Sequence, residues 1–262
     1  MPTPPAVPPT PMTTLRSEGP AGAIRSSGDI EVLFGQIVRG YDTMNRLMTG
    51  GRDGAWRRLV ARQAVMGGRD GHVLDVATGT GDLALALAAA GARQITAIDL
   101  SEPMLQAAAV KIERRAGDGS ALPITLQHAD AMQLPFDDDH FDAGAVSFGL
   151  RNMPDYAAAI AEMVRVLRPG GRWVCLELTP FRVPVLRAGF GLYFERVVPL
   201  VGGVITGERD AYRYLPSSVQ SFPTASELVV LMQRAGLVNT RYRLLGGGTV
   251  AMHIGEKSWP GA

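Results

Sequence analysis

The sequence has almost no cysteine, because Cys175 is the single one among 262 residues. One thiol cannot form an internal disulfide, and it cannot supply the sulfur ligands of a cysteine zinc site. This count is typical of a protein in a reducing compartment, and a cytoplasmic location is therefore expected. A single cysteine is equally consistent with a small side chain in a hydrophobic core.

Long uncharged hydrophobic runs and an excess of charge are also missing. No run of about 18 apolar residues is free of charge, so the sequence predicts no transmembrane helix. Lys and Arg total 26 against 25 Asp and Glu, a net charge of +1, which gives no overall argument for nucleic acid as a partner. The histidines stand singly, without the spacing of metal ligands, so no metal is predicted.

The first 28 residues lack both a charged leader and an apolar core, so they do not resemble a signal peptide. Because this segment is rich in Pro, Ser and Gly, residues 1–28 are predicted to be a disordered tail. Hydrophobic residues recur with helical spacing from Asp29 onwards, which predicts an N-terminal helical cover. Residues 180–222 mix large apolar side chains with Arg and Gly and are predicted to be an insertion.

Short apolar segments alternate with helical patterns from residue 72 to residue 178. Examples are HVLDVA before DLALALAAAG, and QITAID before SEPMLQAAAVKIERRAG. This alternation predicts an α/β fold, with a mostly parallel sheet covered by helices on both faces. The closing sequence RYRLLGGGTVAMHIG predicts two strands joined by glycines, a terminal antiparallel hairpin.

The segment ATGTGD connects the first strand of this pattern to its helix. Gly79 and Gly81 allow a ligand to approach the backbone closely, and the helix N-terminus favours polar or anionic groups. Asp99 ends the next strand, where an acid can accept both hydroxyls of a ribose. A dinucleotide site shares these features, because Gly79-x-Gly81-x-x-Ala84 also fits its relaxed pattern.

Asp75, inside the first strand, separates the two interpretations. A carboxylate is unfavourable beside a pyrophosphate but suits the cationic amino acid end of S-adenosylmethionine; the alternative is that Asp75 only caps the turn. Asp130 and Ala131 follow the third strand, where they could bind an adenine, although Asp130 alone could be a solvated loop residue. Because ligands of parallel sheets bind at the carboxyl ends of strands, several side chains should share one crevice. They are Thr80, Asp99, Asp130, Ala131 and Ser147.

Longer motifs resemble one protein family. In order along the chain stand YDTMNRLMTGG, VLDVATGTGD, LPFDDDHFDAGAVSFGLRNMPD, EMVRVLRPGGR and DAYRYLPSSVQSFP. They resemble the ubiquinone/menaquinone-biosynthesis C-methyltransferase family over most of the chain. The resemblance implies that residues 29–258 form a class I, Rossmann-like S-adenosylmethionine-dependent methyltransferase domain of seven strands, with the last strand antiparallel. Two departures from the family are Thr78, where Gly is common, and Asp130, where Asn is common.

The resemblance also implies a reaction. It is transfer of a methyl group from S-adenosylmethionine to a ring carbon of demethylmenaquinol, giving menaquinol in the last step of menaquinone biosynthesis. The alternatives are C-methylation of the ubiquinone precursor 2-polyprenyl-6-methoxy-1,4-benzoquinol, or methylation of another small molecule such as a sterol, phenol or amine. The quinol becomes nucleophilic as it loses a hydroxyl proton, so the site must align carbon and methyl and stabilise an oxyanion.

Arg151 and Asn152, just after the fourth strand, are the candidate catalytic residues. Because an arginine stays protonated, Arg151 would stabilise the phenolate or orient a water molecule rather than take the proton. Asn152 would orient either partner. The structural alternative is that Arg151 pairs with a neighbour such as Asp155 and only shapes the loop.

Three tyrosines are candidate substrate contacts: Tyr41 on the N-terminal helix, and Tyr212 and Tyr214 in DAYRYLP. Core packing is the alternative for Tyr41, a packed loop is the alternative for the other two, and Asp42 is expected to face solvent. The polyprenyl tail of the implied substrate sits in a bilayer. The apolar segment 180–205, which also contains Arg187 and Arg196, could therefore contact the inner face of the cell membrane, or it could be an ordinary lid helix.

Two further interpretations from other classes stay open at this point. One is a nucleotide-binding redox or regulatory module that binds NAD(H), against which Asp75 and the Asp130-Ala131 pair argue. The other is a protein that binds the methyl donor without catalysis. The oligomeric state is not predicted by any pattern in the sequence.

Overall fold

The computed structural model describes residues 26–66, 71–117, 121–180 and 218–261. The helices are α1 (Ser27–Met48), α2 (Asp53–Val65), α3 (Asp82–Ala89), α4 (Glu102–Ala116), α5 (Tyr156–Arg165) and α6 (Ala225–Arg234), with 3-10 turns at Leu150–Asn152 and Gly246–Gly248. The strands are β1 (His72–Val76), β2 (Gln94–Asp99), β3 (Ile124–His128), β4 (Phe141–Ser147), β5 (Leu167–Leu178), β6 (Leu237–Leu245) and β7 (Val250–Lys257).

The boundaries of the predicted domain are only partly within the described residues. Helix α1 begins at Ser27 rather than at Asp29, and residues 1–25 of the predicted tail lie outside the described ranges. Residues 181–217 of the predicted insertion, with Tyr212 and Tyr214, also lie outside them. Within the described residues, no helix is both long and apolar enough to cross a membrane.

One sheet of seven strands organises the fold, in the order β3-β2-β1-β4-β5-β7-β6. Strands β1 to β5 are parallel, and β7 runs antiparallel between β5 and β6. The predicted α/β class and terminal hairpin are therefore confirmed. The order reverses between β1 and β4, and the crevice at such a reversal is where open parallel sheets bind ligands.

Both faces of the sheet are covered, as continuous apolar strands require. Every residue of β4 is buried, with α2 and α3 packed on one face and α5 and α6 on the other. Trp173 of β5 is 1% exposed, and its ring lies over Gly144 of β4 so closely that a Cβ there would sit 2.2 Å from it. A glycine at position 144 therefore makes room for the largest core side chain.

Short-range signals fix where two helices begin. Asp155 caps α5, because its carboxylate accepts hydrogen bonds from the amides of Ala157 and Ala158 at 3.0 and 2.9 Å. Thr224 and Glu227 form the capping box expected from the sequence TASE at the start of α6. These caps satisfy backbone N–H groups that have no partner inside the helix.

Candidate active site

A first cavity opens at the carboxyl ends of β1, β2 and β4, where the strand order reverses. Its wall brings together six residues that the sequence analysis singled out: Tyr41, Gly79, Asp99, Asp130, Ala131 and Asn152. Apolar side chains supply the rest, including Ile98, Met104, Phe148 and Met153, while Phe34 and Tyr41 reach it from α1. The cavity therefore has mostly apolar walls with a few polar groups, which is the usual form of a small-molecule site.

Asp99 is held rigidly at this cavity. The Gly79 amide donates a hydrogen bond to one carboxylate oxygen at 2.8 Å, and the Ser101 amide donates to the other at 2.9 Å. Burial raises the pKa of Asp99, and these backbone hydrogen bonds oppose the rise. Because a carboxylate oxygen has a second lone pair, both oxygens can still accept hydrogen bonds from a ligand diol.

The two glycines of the turn face different parts of the structure. Both have positive φ, +57° at Gly79 and +86° at Gly81, a backbone region that favours glycine. Gly79 lines the first cavity. Gly81 instead faces α4, since a Cβ at this position would lie 3.2 Å from the Cβ of Ala108. Gly81 therefore allows α4 to approach the turn and supports the ligand site indirectly.

Asp75 lies beneath the turn and is 1% exposed. Thr78 Oγ1 donates a hydrogen bond to one of its carboxylate oxygens at 2.7 Å, whereas the other oxygen, Oδ1, has no hydrogen-bond partner. Burial raises the pKa of Asp75 to about 7. The Thr78 bond fits the turn-capping interpretation, and Asp75 is not among the residues that line the first cavity.

Thr80 is tied to neighbouring helices instead of lining the first cavity. Its Oγ1 donates to Asp42 Oδ1 at 2.6 Å and accepts from Lys111 Nζ at 2.8 Å. Lys111 also donates to Asp42 and, at 2.8 Å, to Asp82. The expectation that Asp42 faces solvent is incomplete: its side chain is 30% exposed, but it also joins α1 to the glycine turn and to α4. Lys111 had no sequence signal of its own.

The end of β4 places Ser147 inside the protein. Ser147 is buried, and its hydroxyl has no hydrogen-bond partner. The next two residues, Phe148 and Gly149, line the first cavity instead. Phe148 has a positive φ of 60°, and a Cβ at Gly149 would lie 2.6 Å from the Cβ of Ala77. The chain thus turns sharply where β1 and β4 end side by side.

Arg151 and Asn152 point into different cavities although they are adjacent. Asn152 lines the first cavity and donates from Nδ2 to the carbonyl oxygen of Phe148 at 3.3 Å. Arg151 lines a second cavity of about 400 Å³. Phe148 lines both and so forms part of the wall between them. The second cavity is also lined by the end of α1, by Trp56 and by the glycine connection before β7.

Arg151 pairs with Glu177 rather than with Asp155. Its Nη1 donates to Glu177 Oε1 at 2.7 Å and to the carbonyl oxygen of Phe148 at 2.7 Å, and its backbone amide donates to Glu177 Oε2 at 3.2 Å. The side chains of Arg151 and Glu177 are 7% and 1% exposed. Asp155 is occupied as the cap of α5, so the specific partner named in the sequence analysis is wrong. Glu177, near the end of β5, is the partner that the sequence analysis did not predict.

Comparison with known proteins identifies the family. The sequence model of the ubiE/COQ5 methyltransferase family matches residues 24–257. The chain belongs to this family. The predicted family and the predicted enzyme class, a methyltransferase, are therefore confirmed.

Relatives of the family resemble the chain over most of its length. Demethylmenaquinone methyltransferase of Thermus thermophilus is 42% identical over 86% of this chain and 100% of its own. The enzyme of the same name from Desulfitobacterium hafniense is 40% identical over 87% of this chain and 89% of its own. The ubiquinone/menaquinone biosynthesis C-methyltransferase UbiE of Methylobacterium nodulans is 38% identical, covering 88% and 91%.

Solved structures share the fold at low identity. An S-adenosylmethionine-dependent methyltransferase from Aquifex aeolicus superposes with a TM-score of 0.58 at 15% identity, covering 82% of this chain and 97% of its own. The [4+2]-cyclase SpnF superposes with a TM-score of 0.62 at 18% identity, covering 92% and 99%. The chain therefore has the α/β methyltransferase fold that the motifs implied.

Proposed function

We propose that this chain transfers the methyl group of S-adenosylmethionine to a ring carbon of demethylmenaquinol, giving menaquinol. The observation that carries the proposal is the pair of cavities that meet at Phe148, one with polar groups suited to a nucleoside and one with a guanidinium group on its wall. The names of the relatives at 40–42% identity favour this acceptor over the ubiquinone precursor. The relative at 38% identity carries a name that covers both pathways.

The first cavity fits the methyl donor. Asp99 offers two fixed carboxylate oxygens for the ribose hydroxyls, and Gly79 leaves the backbone bare beside them. Asp130 and Ala131 line the same cavity, together with Met104 and Met153, and are the proposed contacts of the adenine. When bound there, S-adenosylmethionine supplies an electrophilic methyl group on a sulfonium.

The other residues predicted to bind the methyl donor do not line the first cavity and lie behind its wall. Thr80 and Gly81 hold the turn against α1 and α4. Asp75 and Ser147 are buried with one unsatisfied oxygen each. In its ionised form, Asp75 beneath the turn would attract a ligand with a positive charge and repel a pyrophosphate.

The second cavity fits an aromatic acceptor. Met48, Trp56, Leu178 and Val250 give it apolar walls for a fused ring. Arg151 brings a guanidinium group to those walls, held in place by its ion pair with Glu177, and its N–H groups would stabilise the quinol oxyanion from which the ring carbon draws its nucleophilicity. The hydroxyl proton leaves before the attack. The ring proton leaves after it, as the oxygen is protonated again, so one proton is released overall.

The proposed partners are the substrate and a membrane. The substrate is a polyprenylated quinol whose tail lies in a bilayer. The protein would therefore reach it by peripheral contact with the inner face of the cell membrane. Tyr212, Tyr214 and segment 180–205 remain candidates for the acceptor side. Tyr41 lies on the wall of the first cavity, which favours a contact with the donor or with both substrates.

The test is a methyl-transfer assay with purified protein and isotope-labelled S-adenosylmethionine. Reduced demethylmenaquinone and reduced 2-polyprenyl-6-methoxy-1,4-benzoquinone are offered in separate reactions, and the products are analysed by mass. We expect a labelled methyl group on the naphthoquinol ring. Product from the benzoquinol alone would assign the alternative acceptor, and no product from either would contradict the proposed reaction. Calorimetry with S-adenosylmethionine and NADH distinguishes a methyl donor site from a dinucleotide site.

A further inference from the structure

A cleft of about 570 Å³ on the outer surface is lined by six basic and two acidic side chains. It lies between the end of α1, the first turns of α2, helix α3 and the last turns of α4. We call it the basic cleft. Its cationic lining residues are Arg46, Arg57, Arg58, Lys111, Arg114 and Arg115.

Only two of these six cations are neutralised by the acids of the cleft. Arg57 pairs with Asp53 at 2.6 Å, and Lys111 pairs with Asp82 at 2.8 Å as well as with Asp42. Asp53 and Asp82 are the acids that line the cleft, so its own carboxylates are already engaged. The net positive charge therefore comes from the remaining four arginines.

Those four guanidinium groups are available to a partner. Arg46, Arg58, Arg114 and Arg115 are exposed, and within the described part of the chain none of them takes part in an ion pair. Arg114 and Arg115 also stand in the last turn of α4. A guanidinium group binds phosphate oxygens through two parallel hydrogen bonds, so a concave group of four is suited to phosphate-bearing ligands.

The linings of the basic cleft and of the second cavity share one segment, the end of α1 and the connection to α2. Arg46, Gly51 and Asp53 line the cleft, whereas Asn45, Gly50 and Arg52 line the second cavity. Leu47, in the same segment, is 47% exposed. A surface that the cleft binds will therefore lie beside the second cavity.

We propose that the basic cleft binds the phosphate headgroups of anionic phospholipids and so docks the protein with its second cavity next to a bilayer. The inference rests on the proposed function for its purpose, since an acceptor with a polyprenyl tail must reach that cavity from the membrane. Its physical basis is independent of that function: unpaired arginines in a concave site attract anionic lipid surfaces. Leu47, which is exposed in the segment shared by the two linings, would be the side chain that inserts among the headgroups.

The test compares full-length protein on two kinds of vesicle by co-sedimentation. One kind is phosphatidylcholine alone, and in the other phosphatidylglycerol replaces part of it. We expect binding to the anionic vesicles that weakens as salt is raised. Replacing Arg114→Gln and Arg115→Gln together should weaken this binding by roughly 10- to 30-fold, because each basic residue near the surface contributes separately.

The matched control is the double variant Arg234→Gln and Arg243→Gln. It removes the same charge, also with one change in the last turn of a helix, at the opposite edge of the sheet. We expect its vesicle binding to equal that of the unchanged protein. Equal losses in both double variants, or equal binding to neutral and anionic vesicles, would overturn the proposal. RNA bound as tightly as the anionic vesicles would also overturn it, since the cleft would then be a general polyanion site.

Methyl transfer to a short-chain, water-soluble quinol separates this inference from the proposed function. Arg114 and Arg115 lie outside both cavities, so their double variant should methylate that acceptor at the unchanged rate. Vesicle binding without any methyl transfer by the unchanged protein would leave the lipid site standing and remove the proposed reaction. Methyl transfer without lipid binding would leave the proposed reaction standing and remove the lipid site.

Discussion

At the scale of single residues, the account depends on buried carboxylates that have different tasks. Asp99 accepts two backbone hydrogen bonds at the cavity wall. Glu177 holds a guanidinium group, and Asp75 keeps one oxygen unsatisfied. Each arrangement makes a separate claim about binding, catalysis or stability, and each can be tested by removing one charge.

Asp99→Ala should weaken the binding of S-adenosylmethionine by about 2 kcal/mol, since hydrogen bonds to a charged group are lost. Calorimetric titration measures the affinity. Asp137→Ala, which removes an exposed acid away from both cavities, is the control and should leave the affinity unchanged. Unchanged affinity in Asp99→Ala would remove the ribose assignment.

Glu177→Gln should lower kcat about tenfold while leaving donor affinity unchanged, because Arg151 loses the charge that positions it, and one tenfold step corresponds to about 1.4 kcal/mol of transition-state stabilisation. Steady-state kinetics and donor titration give the two readouts. Glu256→Gln, which alters the ion pair of Arg172 at 2.9 Å far along the sheet, should change neither. A lowered donor affinity in Glu177→Gln with normal kcat would argue for a purely structural ion pair.

The pKa of Asp75 predicts how stability without ligand depends on pH. Burial raises this pKa from 3.8 to about 7, so the folded state binds more protons than the unfolded state between these values. The free energy of unfolding should therefore fall as pH rises from about 4 to about 7. Urea unfolding at several pH values should show this slope, and Asp75→Asn should reduce it. An identical slope in the variant would contradict the assignment.

At the scale of elements, packing holds the strands of the sheet together, and a few polar contacts hold helix α1 over the glycine turn. The Trp173 ring over Gly144 joins β4 to β5. Helix α1 is connected to the glycine turn and to α4 through Asp42, Thr80 and Lys111. The first contact should govern global stability, and the second should govern access to the first cavity.

Gly144→Ala should lower the free energy of unfolding by at least about 1–3 kcal/mol, the usual cost of overpacking a core. The added Cβ would meet the Trp173 ring at 2.2 Å, so backbone and ring must both shift. Urea denaturation measures the change. Gly35→Ala in α1 is the matched control, because its added Cβ would make an ordinary contact at 3.6 Å with Pro103, and it should be neutral or slightly stabilising.

Lys111→Met should loosen α1 without unfolding the sheet. The change removes the donor shared by Asp42, Thr80 and Asp82 and leaves two carboxylates close together. We expect faster hydrogen exchange in α1 and faster dissociation of the donor. Lys257→Met, which breaks the ion pair with Asp139 at 2.7 Å, is the control. If hydrogen exchange in α1 of Lys111→Met stays as slow as in the unchanged protein, Lys111 does not hold α1 in place.

At the scale of the whole molecule, the sequence predicted what depends on periodicity and order along the chain. Alternating strands and helices fixed the α/β class, and the placement of Gly79, Asp99 and Asp130 at strand ends predicted that they share a cavity. The partners of Arg151 and Thr80 were not predictable in this way. Glu177 and Lys111 reach them across the fold, and neither a local motif nor a period records such a contact.

The same limit applies to residues that look alike in the sequence. Gly79 and Gly81 both fit a ligand-binding turn, yet one faces the cavity and the other faces Ala108. Arg151 and Asn152 are neighbours that serve different cavities. Which way a side chain points at the end of a strand depends on how the next element packs, and the pattern of residue types does not contain that information.

The most direct test of the central claim is mass analysis of the quinones in cells that lack this protein. The account predicts that demethylmenaquinone, one methyl group lighter than menaquinone, accumulates, and that the intact gene restores menaquinone while the Arg151→Ala variant does not. Normal menaquinone in the deleted strain, or accumulation of an unmethylated benzoquinone precursor alone, would contradict it.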